Sequence, residues 1–82
     1  MKLEDMNHLE RIIEKALECD LPLGLSIEMP GFVEPELIIN PAVNLKKKLE
    51  YYKDVYDENL EHRHAKGIKI VGFEFNWLRE RG

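Results

Sequence analysis

Threonine and glutamine are missing from this 82-residue chain altogether, and serine occurs once, at Ser26. Hydroxyl nucleophiles and the Ser/Thr of phosphate-binding loops therefore have almost no candidates, and no asparagine can serve as an N-glycosylation acceptor. One cysteine, Cys19, allows no internal disulfide and no paired-thiol ligand set, which points to a reducing compartment. No window approaches the roughly 20 apolar residues of a membrane span. The start of the chain, Met1 to His8, is charged where a signal peptide is apolar. A cytoplasmic location is the expectation.

What remains is globular in composition. Hydrophobic residues make up 44% and charged residues 34%, too apolar for a disordered segment. A chain of this length has room for one core and buries roughly 60% of the surface its unfolded form exposes. The net charge of -4 is unevenly placed: residues 1–40 carry three basic and nine acidic side chains, residues 41–82 nine and seven. One end or face is acidic.

Met6, Leu9, Ile13, Ala16 and Leu17 recur at helical spacing behind Asp5, an expected N-cap, and the helix stops near Pro22. Leu23, Leu25, Ile27 and Met29 alternate with Gly24, Ser26 and Glu28, the period of a half-buried strand, which Pro30-Gly31 ends. Val33, Leu37 and Ile39 carry the same period into a second strand from about Glu36 to Ile39, with Pro35 confining its start to an edge. A hairpin joins the two strands. Asn40-Pro41 reads as an N-cap and first turn, and Ala42, Leu45, Leu49, Tyr52, Tyr56 and Leu60 trace a long second helix that runs until just before Gly67. Ile68 to Leu78 is β-branched and aromatic, a third strand with Val71, Phe73, Phe75 and Trp77 on one side and Ile70, Gly72 and Glu74 on the other. The sum is one α+β domain spanning residues 1–82, in the order α-β-β-α-β, its three-stranded sheet covered on one face by both helices.

No motif for catalysis is present. His62 and His64 diverge by about 200° on a helix and sit at its C-terminal end, where cations are favoured, so they read as solvated side chains rather than metal ligands. Acidic Glu18 and Asp20 flank Cys19 and work against a reactive thiolate; an ordinary, at least half-buried side chain is expected there. Carboxylate pairs are numerous among sixteen acids, but chance alone produces them. The chain is read as a non-enzyme that requires no cofactor, metal or disulfide.

Two surfaces attract a binding reading. Met29, Phe32, Val33 and Glu34 set apolar residues around a tight turn where polar ones are usual, with Glu28 and Glu36 completing a charged rim. Trp77 is a large aromatic close to the C-terminus. Lys46, Lys47 and Lys48, with Arg63 and Lys66, form the basic set that a nucleic-acid-binding regulator would use, although lysines among Leu45 and Leu49 also describe the solvated face of a helix and a net-acidic chain repels phosphate. Phe32 decides the first surface. If exposed, its truncation weakens partner binding by about 2 kcal/mol and stability by less than about 0.5 kcal/mol; if folded under the helices, it costs about 3–5 kcal/mol of stability.

The passage from Glu36-Leu37-Ile38-Ile39 to Asn44-Leu45 and Leu49-Glu50-Tyr51, with Gly72-Phe73-Glu74-Phe75 after the helix, resembles the layout of YqaI-type proteins of phages and prophages of Gram-positive bacteria. The resemblance covers about residues 24–75 and rests on hydrophobic pattern; the longer helix and the separate first helix depart from that layout. It implies a short, dimeric accessory protein of a mobile element and transfers no functional residue. The leading expectation is a non-catalytic module that binds another polypeptide, such as a host factor, with the nucleic-acid regulator as the alternative. Open sheet edges add an expectation of self-association, most simply as a homodimer.

Overall fold

The computed structural model describes residues 1–75. Helix α1 spans Met6–Cys19, strands β1 and β2 span Leu23–Glu28 and Glu36–Asn40, helix α2 spans Leu45–Val55, and strand β3 spans Lys69–Phe75. The sheet is antiparallel, in the order β2-β1-β3. This is the α+β arrangement and the element order that the residue pattern predicts. β2 and β3 point the same way, but β1 lies between them.

Both ends of α1 are built from local chemistry. Asp5 accepts the His8 N–H at 2.8 Å, satisfying one of the orphan donors of the first turn. At the other end Leu21 N–H bonds Ala16 O (2.9 Å) and Asp20 N–H bonds Leu17 O (3.2 Å), the Schellman pattern, with Asp20 in the left-handed region at φ 54° where glycine is usual. Leu9, Ile13 and Ala16 are buried, and Met6 and Ile12 pack against the core. Leu17, expected in the apolar stripe, is exposed instead. Cys19 is also exposed, against the expectation of a half-buried thiol.

On β1, Leu23, Leu25 and Ile27 are buried and belong to the cluster that α1 and α2 complete. Their cross-strand partners on β2 are Asn40, Ile38 and Glu36. Ile38, not Leu37 or Ile39, therefore faces the helices, and those two leucine and isoleucine side chains lie on the opposite face, where both reach over Gly24. On β3 a bulge shifts the register between Ser26 and Ile27, so that Ile27 pairs with Ile70 and Leu25 with Phe73. Val71 is the extra residue, which lets Ile70 and Phe73 both reach the core. Strict alternation had assigned Ile70 to the other side. The stretch expected to extend this strand to Leu78 lies partly outside the described residues.

The second helix is the largest departure. Ala42–Asn44 form a 3-10 turn, and α2 ends at Val55, with Tyr56 extended. Residues after Tyr56 form an irregular segment that returns to the sheet: Asp57 Oδ1 accepts the N–H groups of Asn59 and Glu61, Leu60 sits at φ 65°, and Ile70 N–H bonds Leu60 O at 2.9 Å. Tyr56 and Leu60 still enter the core. They do so from a loop whose turns happen to keep four-residue spacing. Asn40 is not a helix cap. It ends β2, is 1% exposed, donates through Nδ2 to Leu23 O at 3.4 Å and accepts from the Tyr52 hydroxyl at 3.5 Å.

The outer edge of β3 is occupied. Phe73 N–H bonds Met1 O (2.8 Å), the Met1 amine bonds Phe73 O (3.0 Å) and Leu3 N–H bonds Val71 O (3.0 Å). Residues 60–62 bond the start of the same edge through Leu60 and His62. Leu3 is buried as a result.

Candidate functional site

The tip of the β1–β2 hairpin exposes two adjacent large apolar residues. Its turn follows from two residues: Pro30 presets the second position, and Gly31 supplies the positive φ, 84°, of the third, so that Phe32 N–H closes on Met29 O at 3.3 Å. This is a type II turn, and it fixes what comes next in space. Phe32 is 65% exposed and Val33 fully exposed at 101%. Met29 is half-buried and packs against the core, which anchors the base of the tip, and the ring of Pro30 lies against Gly67 of the irregular segment. Glu28, Glu34 and Glu36 are exposed around this apolar centre. Trp77, the remaining residue of the expected surface, lies outside the described residues.

A second apolar feature sits beneath the tip on the helix side. Ile27, Met29, Ile38, Lys48, Tyr51, Tyr52, Tyr56, His62 and Ile68 line a cavity of about 250 Å³. Burial raises the pKa of Tyr52 and Tyr56 above the ordinary phenol value, and the nearby Tyr51 adds to both. The Asn40 contact pulls Tyr52 partly back. Neither shift prepares an acid or base for work near neutral pH.

The basic residues do not converge. Lys46 and Lys47 are exposed on α2, but Lys48 is half-buried, its ammonium 5.2 Å from the centre of the Tyr51 ring and 5.9 Å from that of Tyr52. Arg63 lines a cavity of about 360 Å³ together with Asp5, Asp57 and Glu58. Lys66 lines another, of about 300 Å³, with Lys69, Glu28 and Glu61. His62 and His64 do not decorate a helix end. His62 Nδ1 accepts the N–H groups of His64 (3.1 Å) and Ala65 (3.0 Å) and so organises the turn before Gly67. Among the described residues no three His, Cys, Asp or Glu side chains converge on a point that could hold a metal ion. No helix among them is long and apolar enough to cross a membrane.

Leu37, Val43 and Tyr51 are exposed apolar residues that sequence reasoning did not single out. The available signal for Leu37 was Pro35: a proline at the head of β2 marks an edge, and an apolar residue two positions on then flanks open backbone. Compared with protein-family models, curated proteins and solved structures, the chain matches none.

Proposed function

We propose that this protein is a non-catalytic polypeptide-binding module that engages its partner with the tip of the β1–β2 hairpin. The observation that carries this reading is the exposure of Phe32 (65%) and Val33 (101%) on a turn whose shape Pro30 and Gly31 hold fixed. An apolar centre costs less to bury when it is already ordered, and Glu28, Glu34 and Glu36 supply the polar rim. The matching partner surface is an apolar pocket ringed by basic side chains. The exposed thiol of Cys19 suits a reducing, cytoplasmic setting. The resemblance to prophage proteins suggests the specific form of an accessory protein acting on a host polypeptide. A nucleic-acid role has weaker support, because Lys48 is engaged with tyrosine rings and Arg63 and Lys66 line separate cavities that each also hold carboxylates.

Phe32→Ala tests the reading. About a third of this residue is covered, so the truncation costs at most about 1 kcal/mol of stability when full burial of such a side chain is worth roughly 3. As an interface anchor, the same side chain is worth about 2 kcal/mol of binding, roughly a 30-fold loss of affinity. Wild type and variant, immobilised side by side and exposed to extract from the native cell, should differ in one retained polypeptide. Purified, that polypeptide should bind the variant more weakly by this factor. Equal binding to both removes the tip from the interface.

A further inference from the structure

The outer edge of β2 carries a short row of open backbone groups. Phe73 directs its N–H and C=O away from β1, toward Met1. Successive residues of an antiparallel ladder direct these groups to alternate sides, so Gly72 and Glu74 bond their partners Ser26 and Gly24. Leu23 and Leu25 then bond β2, where Asn40 and Ile38 answer them. Leu37 and Ile39 are left with their N–H and C=O pointing outward, and no described residue bonds to these groups.

The same alternation turns positions 35 and 41 outward as well. Both are proline, with no N–H to offer. The open edge therefore offers donors at Leu37 and Ile39 and is blocked on either side. One centre of two-fold symmetry builds this short ladder from fully reciprocal pairs alone. With Ile38 opposite Ile38 of a second copy, Leu37 faces Ile39, Glu36 faces Asn40 and Pro35 faces Pro41. Every outward N–H then meets an outward C=O. Centred on Leu37 or Ile39 the ladder keeps four bonds, but two of its pairs are one-sided, with a proline carbonyl accepting and no N–H returned. The side chains agree with this register. Leu37, 46% exposed, meets the half-buried Ile39 on the open face, and the two half-buried Ile38 side chains meet on the helix face. The charged residue of the strand, Glu36, faces an amide, and the two copies of Glu36 lie at opposite ends of the ladder, so like charges never oppose.

We infer that two copies of this chain associate through antiparallel pairing of their β2 strands about Ile38, forming one continuous sheet with all four helices on the same face. This inference does not depend on the role of the hairpin tip, because it rests on the backbone edge.

Sedimentation velocity on the whole chain at about 100 µM should show a dimer that dissociates on dilution, as mass action requires. Leu37→Lys/Ile39→Lys sets lysines opposite lysines and should be monomeric. Leu37→Glu/Ile39→Glu should also be monomeric alone, and mixing the two should restore a dimer. Register is read by cross-linking in a Cys19→Ser background. Ile38→Cys should form an intermolecular disulfide on mild oxidation, because facing residues of a non-hydrogen-bonded pair have Cα atoms about 4.5 Å apart. Leu37→Cys should not, since two copies of residue 37 are then about 8 Å apart, beyond disulfide reach. A wild-type monomer at this concentration overturns the proposal, as does a dimer that survives the lysine pair. Cross-linking through residue 37 in preference to 38 overturns the register. If the lysine variant fails to fold, the cysteine pair alone decides.

Discussion

Asn40→Asp exchanges one amide nitrogen for oxygen, and the two places an Asn-Pro pair can occupy answer that change in opposite ways. At an exposed helix N-cap aspartate serves as well as asparagine and gains slightly from the helix dipole. In this fold the residue is 1% exposed, and its Nδ2 donates to Leu23 O at 3.4 Å. Aspartate would place a carboxylate oxygen against that carbonyl and keep the Tyr52 hydroxyl, at 3.5 Å, as its donor. Desolvation without a compensating charge raises a carboxyl pKa by roughly 2–3 units, and each unit is about 1.4 kcal/mol, so the variant should lose about 3–4 kcal/mol at pH 7. That is a large part of the stability of any domain this small. The sign with pH follows. The folded variant holds its proton above the pH at which the unfolded chain releases it, near 3.9, so the loss shrinks as pH falls through the folded-state value toward about 4. Urea denaturation of wild type and variant at pH 7 and about pH 4.5 measures both effects. A variant as stable as wild type at pH 7 refutes the burial argument.

Asp20→Gly should stabilise the protein by about 0.5–1 kcal/mol, because it relieves a left-handed backbone and removes a negative charge from the C-terminal end of α1; thermal or urea unfolding checks it, and a destabilised variant contradicts it. Tyr52 and Tyr56 hold their protons more tightly folded than unfolded, so their contribution is constant below a pH of about 10 and stability falls as pH rises above it. Urea midpoints followed from neutral to strongly alkaline pH should decline less steeply for Tyr52→Phe than for wild type, and parallel declines would show that Tyr52 does not carry the effect.

Local signals with a single reading were legible in the sequence. Asp5 capped α1, Pro30-Gly31 closed the hairpin, and the alternation from Leu23 to Ile27 placed β1 with its inward face correct. Signals that depend on distant partners were not. Tyr56 and Leu60 continue a helical spacing, yet the chain leaves the helix at Tyr56, and Leu60 is buried through a turn that Asp57 organises. Spacing cannot distinguish a helix from a loop that brings the same residues to the same core. The phase of β2 was lost for a related reason: Glu-Leu-Ile-Ile-Asn has an apolar residue on either face, and the deciding residue, Asn40, is polar and buried. The bulge at Val71 leaves no mark in composition. At the candidate site, the apolar turn was visible as an oddity of residue types. That Phe32 points outward was not, because exposure depends on how far α2 and the irregular segment extend beneath it.

The two sides of the sheet end differently. One side is already taken by Met1–Leu3 and by residues 60–62, which satisfy the backbone of β3 from within the same chain. A sheet that offered both sides could add copies without limit, the geometry of a fibre. With one side taken, pairing through β2 would exhaust the remaining edge in one step, and the assembly we infer would be finite whatever the concentration. Anything that pulls residues 1–3 away from β3 would expose a second site for addition, and the hazard of that change is open-ended polymerisation rather than a simple loss of stability.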